Sequence, residues 1–168
     1  MKPELHTSRL HLRPAAAADL EALHRLWSDP DVRRHLFDNL TISLNEARSL
    51  LERSDAGFEE RSLGLWCANE RSGEALVGFA GFLHSEDEPE LVYGLRRSQR
   101  GRGLATEAAR RVIEHAFANP AMDRVMASVD EPNQASLRVL ERLGMRRTRR
   151  SMVDGKPLLH YALERDRS

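Results

Sequence analysis

A glycine-rich turn between a predicted strand and a predicted helix constrains this chain more than any other segment of its sequence. The turn reads RRSQRGRGLATE over residues 96–107, and Gly101 and Gly103 within it carry no side chain. Glycine lets the backbone approach a ligand closely, and the unpaired N–H groups and positive dipole end of a helix start favour an anion. We therefore expect a phosphate or pyrophosphate site here; the alternative is a tight turn with solvated arginines.

The same turn lacks the motifs of the common nucleotide-binding loops. No Gly-Lys-Ser/Thr sequence ends it, as a Walker A loop requires, and no third glycine completes the dinucleotide-binding pattern G-x-G-x-x-G. Nucleotide hydrolysis and dinucleotide binding are therefore disfavoured.

Hydrophobic periodicity divides the chain into strands and helices without a linker or an internal repeat. The predicted strands are residues 8–13, 63–69, 75–83, 90–96, 125–129, 146–152 and 157–163, the last two joined as a hairpin at Asp154-Gly155. The predicted helices are 19–27, a segment capped by Ser43 and Glu46, 104–118, and a segment capped by Asn133 and ended by Gly144. The order is β-α-α-β-β-β-α-β-α-β-β, and we expect one domain over residues 1–168.

Composition excludes several classes of protein. A chain of 168 residues, 40% hydrophobic and 31% charged, is long enough for one core. No apolar run reaches the roughly 18 to 20 residues of a membrane-spanning helix, and the N-terminus lacks the apolar stretch of a signal peptide. We expect a soluble cytoplasmic protein without a membrane partner. Since 26 basic residues balance 26 acidic ones, we expect no nucleic-acid partner either.

Neither the cysteine count nor the histidine spacing indicates a metal or redox site. Cys67 is the one cysteine, and the 7 histidines form neither H-x-x-H nor H-E-x-x-H. We expect no metal, and we expect Cys67 to be a small core residue.

The turn also carries a family signature. Arg100-x-x-Gly103-x-Ala105 matches Q/R-x-x-G-x-G/A, and on this motif and the element order the chain resembles the GNAT superfamily of acyl-CoA-dependent N-acetyltransferases. Further segments resemble its RimJ/RimL-like branch: TSRLHLR at 7–13, SDPDV at 28–32, GRGLATEA at 101–108, NQAS at 133–136 and LERLGM at 140–145. The resemblance implies an α+β GNAT fold with a mixed, mostly antiparallel central sheet of about seven strands and about four helices.

The resemblance further implies acetyl-CoA as the cosubstrate. The amides of residues 100–105 would hold its pyrophosphate, the Thr106 hydroxyl would add a contact, and residues 94–96 would pair with the pantetheine arm. Asn133 would hold the arm from the other side. The expected cofactor-binding residues are Gly94, Leu95, Arg96, Arg100, Gly101, Arg102, Gly103, Leu104, Ala105, Thr106, Asn133 and Ser136. Arg96, Arg97, Arg100 and Arg102 either bind the 3′-phosphate or form a solvated charged surface.

Two residues are the candidate catalytic groups. An amine must lose a proton to attack, and Glu90, at the start of a strand where RimJ/RimL-like sequences often carry Glu, is the candidate acceptor; the alternative is a carboxylate that continues the acidic run 86–88. Main-chain N–H groups near Val92 or Tyr93 would stabilise the developing oxyanion. Many GNAT enzymes protonate the leaving thiolate with a Tyr where this chain has Leu140. Ser136 is the candidate here, or else a first-turn serine that bonds to the helix backbone.

The resemblance also places His35, Phe37 and Trp66, with Glu90, beside the acceptor groove, although aromatic residues at such positions are as often core. The basic run at 146–150 lacks interleaved aromatics and is interpreted as a solvated strand face rather than an RNA site.

The resemblance implies an N-acetyltransferase that moves the acetyl group to a primary amine by direct attack in a ternary complex. The acceptor is a protein N-terminus or a small-molecule amine, and a homodimer through the C-terminal hairpin or the central strands is compatible with it. The alternative is a catalytically silent acyl-CoA-binding or sensory module.

Overall fold

Eight strands and five α-helices follow one another along the residues that the computed structural model describes, 2–36, 41–84 and 88–166. The strands are β1 (Leu5–His6), β2 (Leu10–Pro14), β3 (Leu65–Glu70), β4 (Leu76–His84), β5 (Pro89–Leu95), β6 (Arg124–Asp130), β7 (Arg146–Val153) and β8 (Lys156–Glu164). The helices are α1 (Leu20–Trp27), α2 (Pro30–Leu36), α3 (Leu44–Arg61), α4 (Leu104–Phe117) and α5 (Gln134–Arg142). None of these described helices is long and apolar enough to cross a membrane.

One sheet contains all eight strands, in the order β1-β2-β3-β4-β5-β6-β8-β7. Every neighbouring pair is antiparallel except β5 and β6, which are parallel. Among the described residues these two strands share a single paired position, Glu90 with Met126. Beyond that position they separate, so the middle of the sheet opens into a cleft.

Helices cover both faces of the sheet, and side chains alternate between them. On β5, Leu91 belongs to the core that contains Leu104 and Val112 of α4, whereas Val92 packs against the core that contains Leu23 of α1. The cleft between β5 and β6 therefore lies between a face covered by α4 and α5 and a face covered by α1 and its neighbours.

The predicted helix ends are confirmed. Ser43 Oγ accepts from the Glu46 amide at 3.0 Å, and the Ser43 amide donates to Glu46 Oε1 at 3.1 Å, which is a reciprocal capping box. Asn133 Oδ1 accepts from the Ser136 amide at the start of α5. Gly144, directly after α5, adopts the left-handed φ of +81° that favours glycine.

The mixed, mostly antiparallel α+β architecture is also confirmed, with one more strand and one more helix than the predicted seven and four. The additional strand, β1, has two residues and is too short to show alternation. The first strand had been expected from Ser8, but the Thr7 amide donates to the Leu10 carbonyl in a tight turn, so β2 begins at Leu10. The additional helix, α2, begins at Pro30, where the sequence had indicated only a helix-ending turn; proline suits the first helical position.

Candidate active site

The cleft between β5 and β6 encloses about 360 Å³. It is lined by residues 91–95 of β5 and 127–129 of β6. Consecutive residues of a strand point to opposite faces, so a cleft lined by all of them passes through the sheet. Asp31 and Val32 of α2 border it on one side and Asn133 and Ser136 on the other. The cleft thus offers two entrances, one on each face of the sheet.

The glycine-rich turn borders the cleft through Arg100 and Ala105, whereas Gly103 and Thr106 line a second pocket with Arg9 and Glu107. Gly101 and Gly103 adopt left-handed φ values of +81° and +78°, and Gly103 is the N-cap of α4. A Cβ atom at Gly101 would meet nothing within 4 Å, and one at Gly103 only Arg9 Nη2 at 3.5 Å. The backbone of the turn is therefore open to a ligand, at the positive end of a helix of 14 residues.

Two side chains in the first turn of α4 differ in their hydrogen bonding. Thr106 Oγ1 is buried and has no hydrogen-bond partner among the described residues, which is costly unless a ligand supplies one. Glu107 accepts from Thr7 Oγ1 at 2.5 Å and from Arg9 Nε at 2.8 Å. Burial alone would raise the pKa of Glu107, but these hydrogen bonds outweigh it and hold the pKa below its usual value. The turn thus combines an unsatisfied hydroxyl with a carboxylate whose charge is already paired, and an anion fits this arrangement.

The arginines of the turn all have partners within the protein. Arg100 contacts Asp31 Oδ2 at 3.0 Å and Asp29 Oδ1 at 3.6 Å, and Arg97 contacts Asp31 Oδ2 at 3.1 Å. The hydrogen bond from Arg100 contributes most to a lowered pKa of Asp31. These contacts connect the turn to the start of α2.

The two remaining arginines face away from that helix. Arg102 Nη1 donates to Glu70 Oε1 at 2.7 Å, and Arg96 Nη1 donates to the Leu76 carbonyl at 3.3 Å. A role for any of the four in phosphate binding requires that these contacts be shared or exchanged.

Gly94 and Leu95 lie where the pantetheine arm was expected, on the cleft edge of β5. A Cβ atom at Gly94 would approach Phe79 Cε1 to 2.7 Å, so glycine is required there for packing against β4. Leu104 is fully buried in the core and Ala105 lines the cleft. Leu104 therefore offers a ligand only its backbone.

Ser136 makes a contact that the sequence did not indicate. Its hydroxyl lies 2.7 Å from Tyr93 Oη, and both residues line the cleft. Burial raises the pKa of Tyr93 to about 12, although the hydrogen bond with Ser136 acts in the opposite direction. The phenol therefore keeps its proton at neutral pH. Alternation along β5 does place Tyr93 with Leu91 on the α5 side, but only the fold shows that it reaches Ser136.

Glu90 is half-buried at the position where β5 pairs with β6, and it is not among the residues that line the cleft. On the same sheet face, Ser128 lines the cleft, and its Oγ lies 3.3 Å from Nδ1 of His160 on β8. His160 Nε2 lies 2.8 Å from Ser151 Oγ on β7. Burial and the charge of Arg149 lower the pKa of His160, whereas Glu90 opposes that shift. Sequence reasoning missed this group because its members come from four strands.

Of the three residues expected beside the acceptor groove, His35, Phe37 and Trp66, the structure describes the side chain of Trp66 alone. Trp66 is fully buried, its indole Nε1 donates to the Pro3 carbonyl at 2.9 Å, and it packs edge-on against Phe58. Its assignment to the acceptor groove is therefore wrong, because its strand position directs it into the core. His35 lies on α2, but its side chain is outside the described residues, as is all of Phe37. The acidic run at 86–88 is described only at Glu88.

Cys67 is buried as expected, and burial raises the pKa of its thiol to about 12.

The fold also forms a cluster of histidines that sequence spacing does not reveal. Glu4, His6 and His11 come together where β1 and β2 pair. The rings of His6 and His11 lie parallel with centroids 4.6 Å apart. Lone pairs in parallel planes do not converge on one ion, so this arrangement is not a formed metal site.

Comparison with known proteins gives consistent results. Residues 9–146 match the family model described as the acetyltransferase (GNAT) domain. The uncharacterized N-acetyltransferase p20 of Bacillus licheniformis is 26% identical over 85% of this chain and 82% of its own length. Spermidine N(1)-acetyltransferase of Escherichia coli is 25% identical over 84% of this chain and 74% of its own. A solved acetyltransferase from Salmonella typhimurium, which modifies the N-terminal serine of ribosomal protein L7/L12, has the same fold (TM-score 0.81, 18% identity, 98% of this chain and 100% of that chain).

Proposed function

The chain belongs to the GNAT family of acetyltransferases, and from this premise we propose that it transfers the acetyl group of acetyl-CoA to a primary amine by direct attack in a ternary complex. The observation that carries the proposal is the cleft through the sheet, which α2 borders on one face and α5 on the other, with Arg100 and Ala105 of the open glycine turn in its lining. Two entrances allow two substrates to be bound together with their reacting atoms in contact.

Acetyl-CoA would supply the acetyl group as a thioester, which an amine can attack. The amides of residues 100–105 and the unpartnered hydroxyl of Thr106 suit its pyrophosphate, because they offer hydrogen-bond donors at the positive end of α4. The cleft edge of β5 at Gly94 and Leu95 suits the amides of the pantetheine arm, whereas the Arg96 amide donates to the Val77 carbonyl of β4. Asn133 and Ser136 border the arm from α5.

The backbone of β5 at Val92 and Tyr93 is proposed to stabilise negative charge on the thioester oxygen. These residues line the cleft beyond the last position at which β5 pairs with β6. An amide N–H that points into a cleft from which bound substrates exclude water stabilises a developing charge more than the same group in water.

Ser136 is proposed to protonate the departing thiolate, with Tyr93 as its partner. The Tyr93 phenol, 2.7 Å away, keeps its proton at neutral pH and can return one to Ser136. The pair thus occupies the place in the reaction that a helix tyrosine at position 140 fills in many GNAT enzymes.

Glu90 is proposed as the carboxylate toward which the amine proton moves. The Glu90 side chain does not line the cleft, so other groups must carry the proton away from the amine. The negative charge of Glu90 would favour that transfer. The acceptor itself is a primary amine of a protein N-terminus or of a small molecule. The spermidine and ribosomal-protein enzymes among the similar proteins support this class.

Purified protein with acetyl-CoA and a panel of amines tests the proposal. The panel contains spermidine, spermine, free amino acids and peptides with an N-terminal serine, and release of free CoA thiol is measured. We expect at least one amine to give turnover. Acetyl-CoA binding by calorimetry without thiol release for any amine would instead establish a silent acyl-CoA-binding module.

A further inference from the structure

We propose that Ser128 and His160 form the path by which the attacking amine loses its proton. The Ser128 hydroxyl takes the proton from the amine as it passes its own proton to Nδ1 of His160. This inference rests on the proposed amine acetylation and identifies the groups that intervene between the cleft and Glu90.

The position of Ser128 is the first reason. The register Glu90–Met126, extended by two residues on each parallel strand, places Ser128 across the open cleft from Val92. Val92 and Tyr93 are the backbone positions proposed to hold the thioester oxygen. Ser128 and Val92 both point to the sheet face on which α2 borders the cleft, which is the face opposite Tyr93 and Ser136. Proton removal and thiolate protonation are thereby placed on opposite faces of the sheet.

The position of His160 is the second reason. His160 pairs directly with Ser128 across β6 and β8, and the Ser128 Oγ to His160 Nδ1 distance is 3.3 Å. On the far side of the ring, Nε2 lies 2.8 Å from Ser151 Oγ. A ring held at both nitrogens has a fixed orientation. When Nε2–H donates to Ser151, Nδ1 is left as an acceptor for Ser128.

A β-bulge in β7 brings Ser151 to the same sheet face as His160 and so allows their contact. Along β7 and β8 the register shifts between Arg147 and Arg149, so Thr148 is an extra residue opposite His160. Without the extra residue every side chain of β7 beyond it would point to the other face. Arg149 and Ser151 share the face of His160 only because of this bulge. Bulges often redirect side chains next to active sites.

The charged groups on this face set the protonation of His160. They are Glu90 on β5, Arg124 and Asp130 on β6, and Arg146 and Arg149 on β7, with Lys156 and Glu164 farther along β8. Burial and the charge of Arg149 favour the neutral ring and lower the pKa of His160 below its usual value. The charge of Glu90 favours the imidazolium and opposes part of this shift. A neutral imidazole at pH 7 is ready to accept a proton.

The amine nitrogen attacks the thioester carbon, one N–H bond breaks and its electron pair stays on nitrogen. The C–S bond of the thioester breaks, and the leaving thiolate takes the proton that Ser136 supplies with Tyr93 as its partner. The amine proton forms a new O–H bond on Ser128, whose original O–H bond breaks as Nδ1–H forms on His160. The product is an imidazolium whose positive charge faces Glu90, and its proton returns to solvent after release of the acetylated amine.

His160→Asn tests the path, measured with an amine that the wild-type protein accepts. Asparagine can still accept a hydrogen bond from Ser128 but cannot take a proton. We expect kcat/KM at pH 7 to fall by roughly 10² to 10⁴, the usual contribution of acid–base catalysis, and the acidic limb of the pH profile to disappear. His115→Asn is the matched control, since His115 also bonds through Nε2, to the Ser62 carbonyl, away from the cleft. Its profile should match the wild type.

Ser128→Ala provides a second variant that removes the relay with minimal change in the sheet, and it should lower kcat/KM as His160→Asn does. Nitrogen-15 NMR of the wild-type protein should show His160 with its proton on Nε2. Wild-type rates with an unmoved acidic limb in His160→Asn, or a proton on Nδ1, would overturn the relay and leave acetyl transfer intact. No turnover by the wild type with any amine would overturn the proposed function and the relay together.

Discussion

Gly103→Val should separate cofactor binding from folding. Gly103 has φ +78°, and a Cβ atom there would meet only Arg9 Nη2 at 3.5 Å, so the packing around the turn does not exclude a side chain. The left-handed backbone costs about 1 to 2 kcal/mol for a residue with a Cβ. The added methyl groups would occupy the space through which a pyrophosphate reaches the amides of the turn.

The size of the effect follows from the hydrogen bonds at risk. A hydrogen bond to a charged group contributes about 1.5 to 3 kcal/mol, and each 1.4 kcal/mol is a factor of ten in affinity. Loss of one amide contact to the pyrophosphate should therefore weaken acetyl-CoA binding by roughly 10- to 150-fold. Isothermal titration calorimetry measures this, with circular dichroism to verify the fold.

Gly155→Val is the matched control. Gly155 has nearly the same φ, +77°, and nothing within 4 Å of its Cβ position, but it lies in the hairpin turn between β7 and β8. It should show the backbone strain without the loss of acetyl-CoA affinity. Equal affinities for Gly103→Val and wild type, or equal losses in both variants, would refute the assignment of the pyrophosphate to this turn.

Three further predictions concern the proton path and the pH dependence of stability. Glu90→Gln should lower kcat by about 10²-fold and move the acidic limb of kcat/KM to lower pH, because the imidazolium of His160 loses a favourable charge; an unchanged profile would contradict this. Tyr93→Phe should reduce kcat more than KM and should not add to the effect of Ser136→Ala in a double-mutant cycle, because the two hydroxyls act together; full additivity would show separate roles. Asp19 is paired with Arg13 at 2.6 Å and has a lowered pKa, because hydrogen bonds from Arg13 and the Ala16 amide outweigh the effect of burial. Its contribution to stability is present above the unfolded pKa and lost as the pH falls through the folded one. Asp19→Asn should therefore cost about 2 kcal/mol in urea unfolding at pH 7 and less at pH 3, whereas Asp55→Asn, at a more accessible surface pair with Lys2, should cost little at either pH.

Local sequence signals predicted the parts of the fold that depend on neighbouring residues. Helix caps such as Ser43 with Glu46 and the hairpin at Asp154-Gly155 satisfy their requirements within a few residues. The glycine turn of α4 belongs to the same class, because its φ values are a local property.

Features that depend on register were not predictable in the same way. Trp66 appeared suitable for the acceptor groove until the pairing of β3 showed which face it occupies. Ser128 and His160 are 32 residues apart and meet only because β6 and β8 pair directly. A one-residue bulge at Thr148 reverses every later side chain of β7, and nothing in the local sequence marks it.

The arginine-rich strand β7 has a consequence for assembly. It forms one edge of the sheet, and four of its first five residues are arginine, at positions 146, 147, 149 and 150. An unpaired strand edge is a template for adding another strand, but a second copy of this chain would bring its own arginines against these. Like charges directly opposite one another destabilise a strand pair. The edge therefore resists growth of the sheet by strand pairing from one molecule to the next.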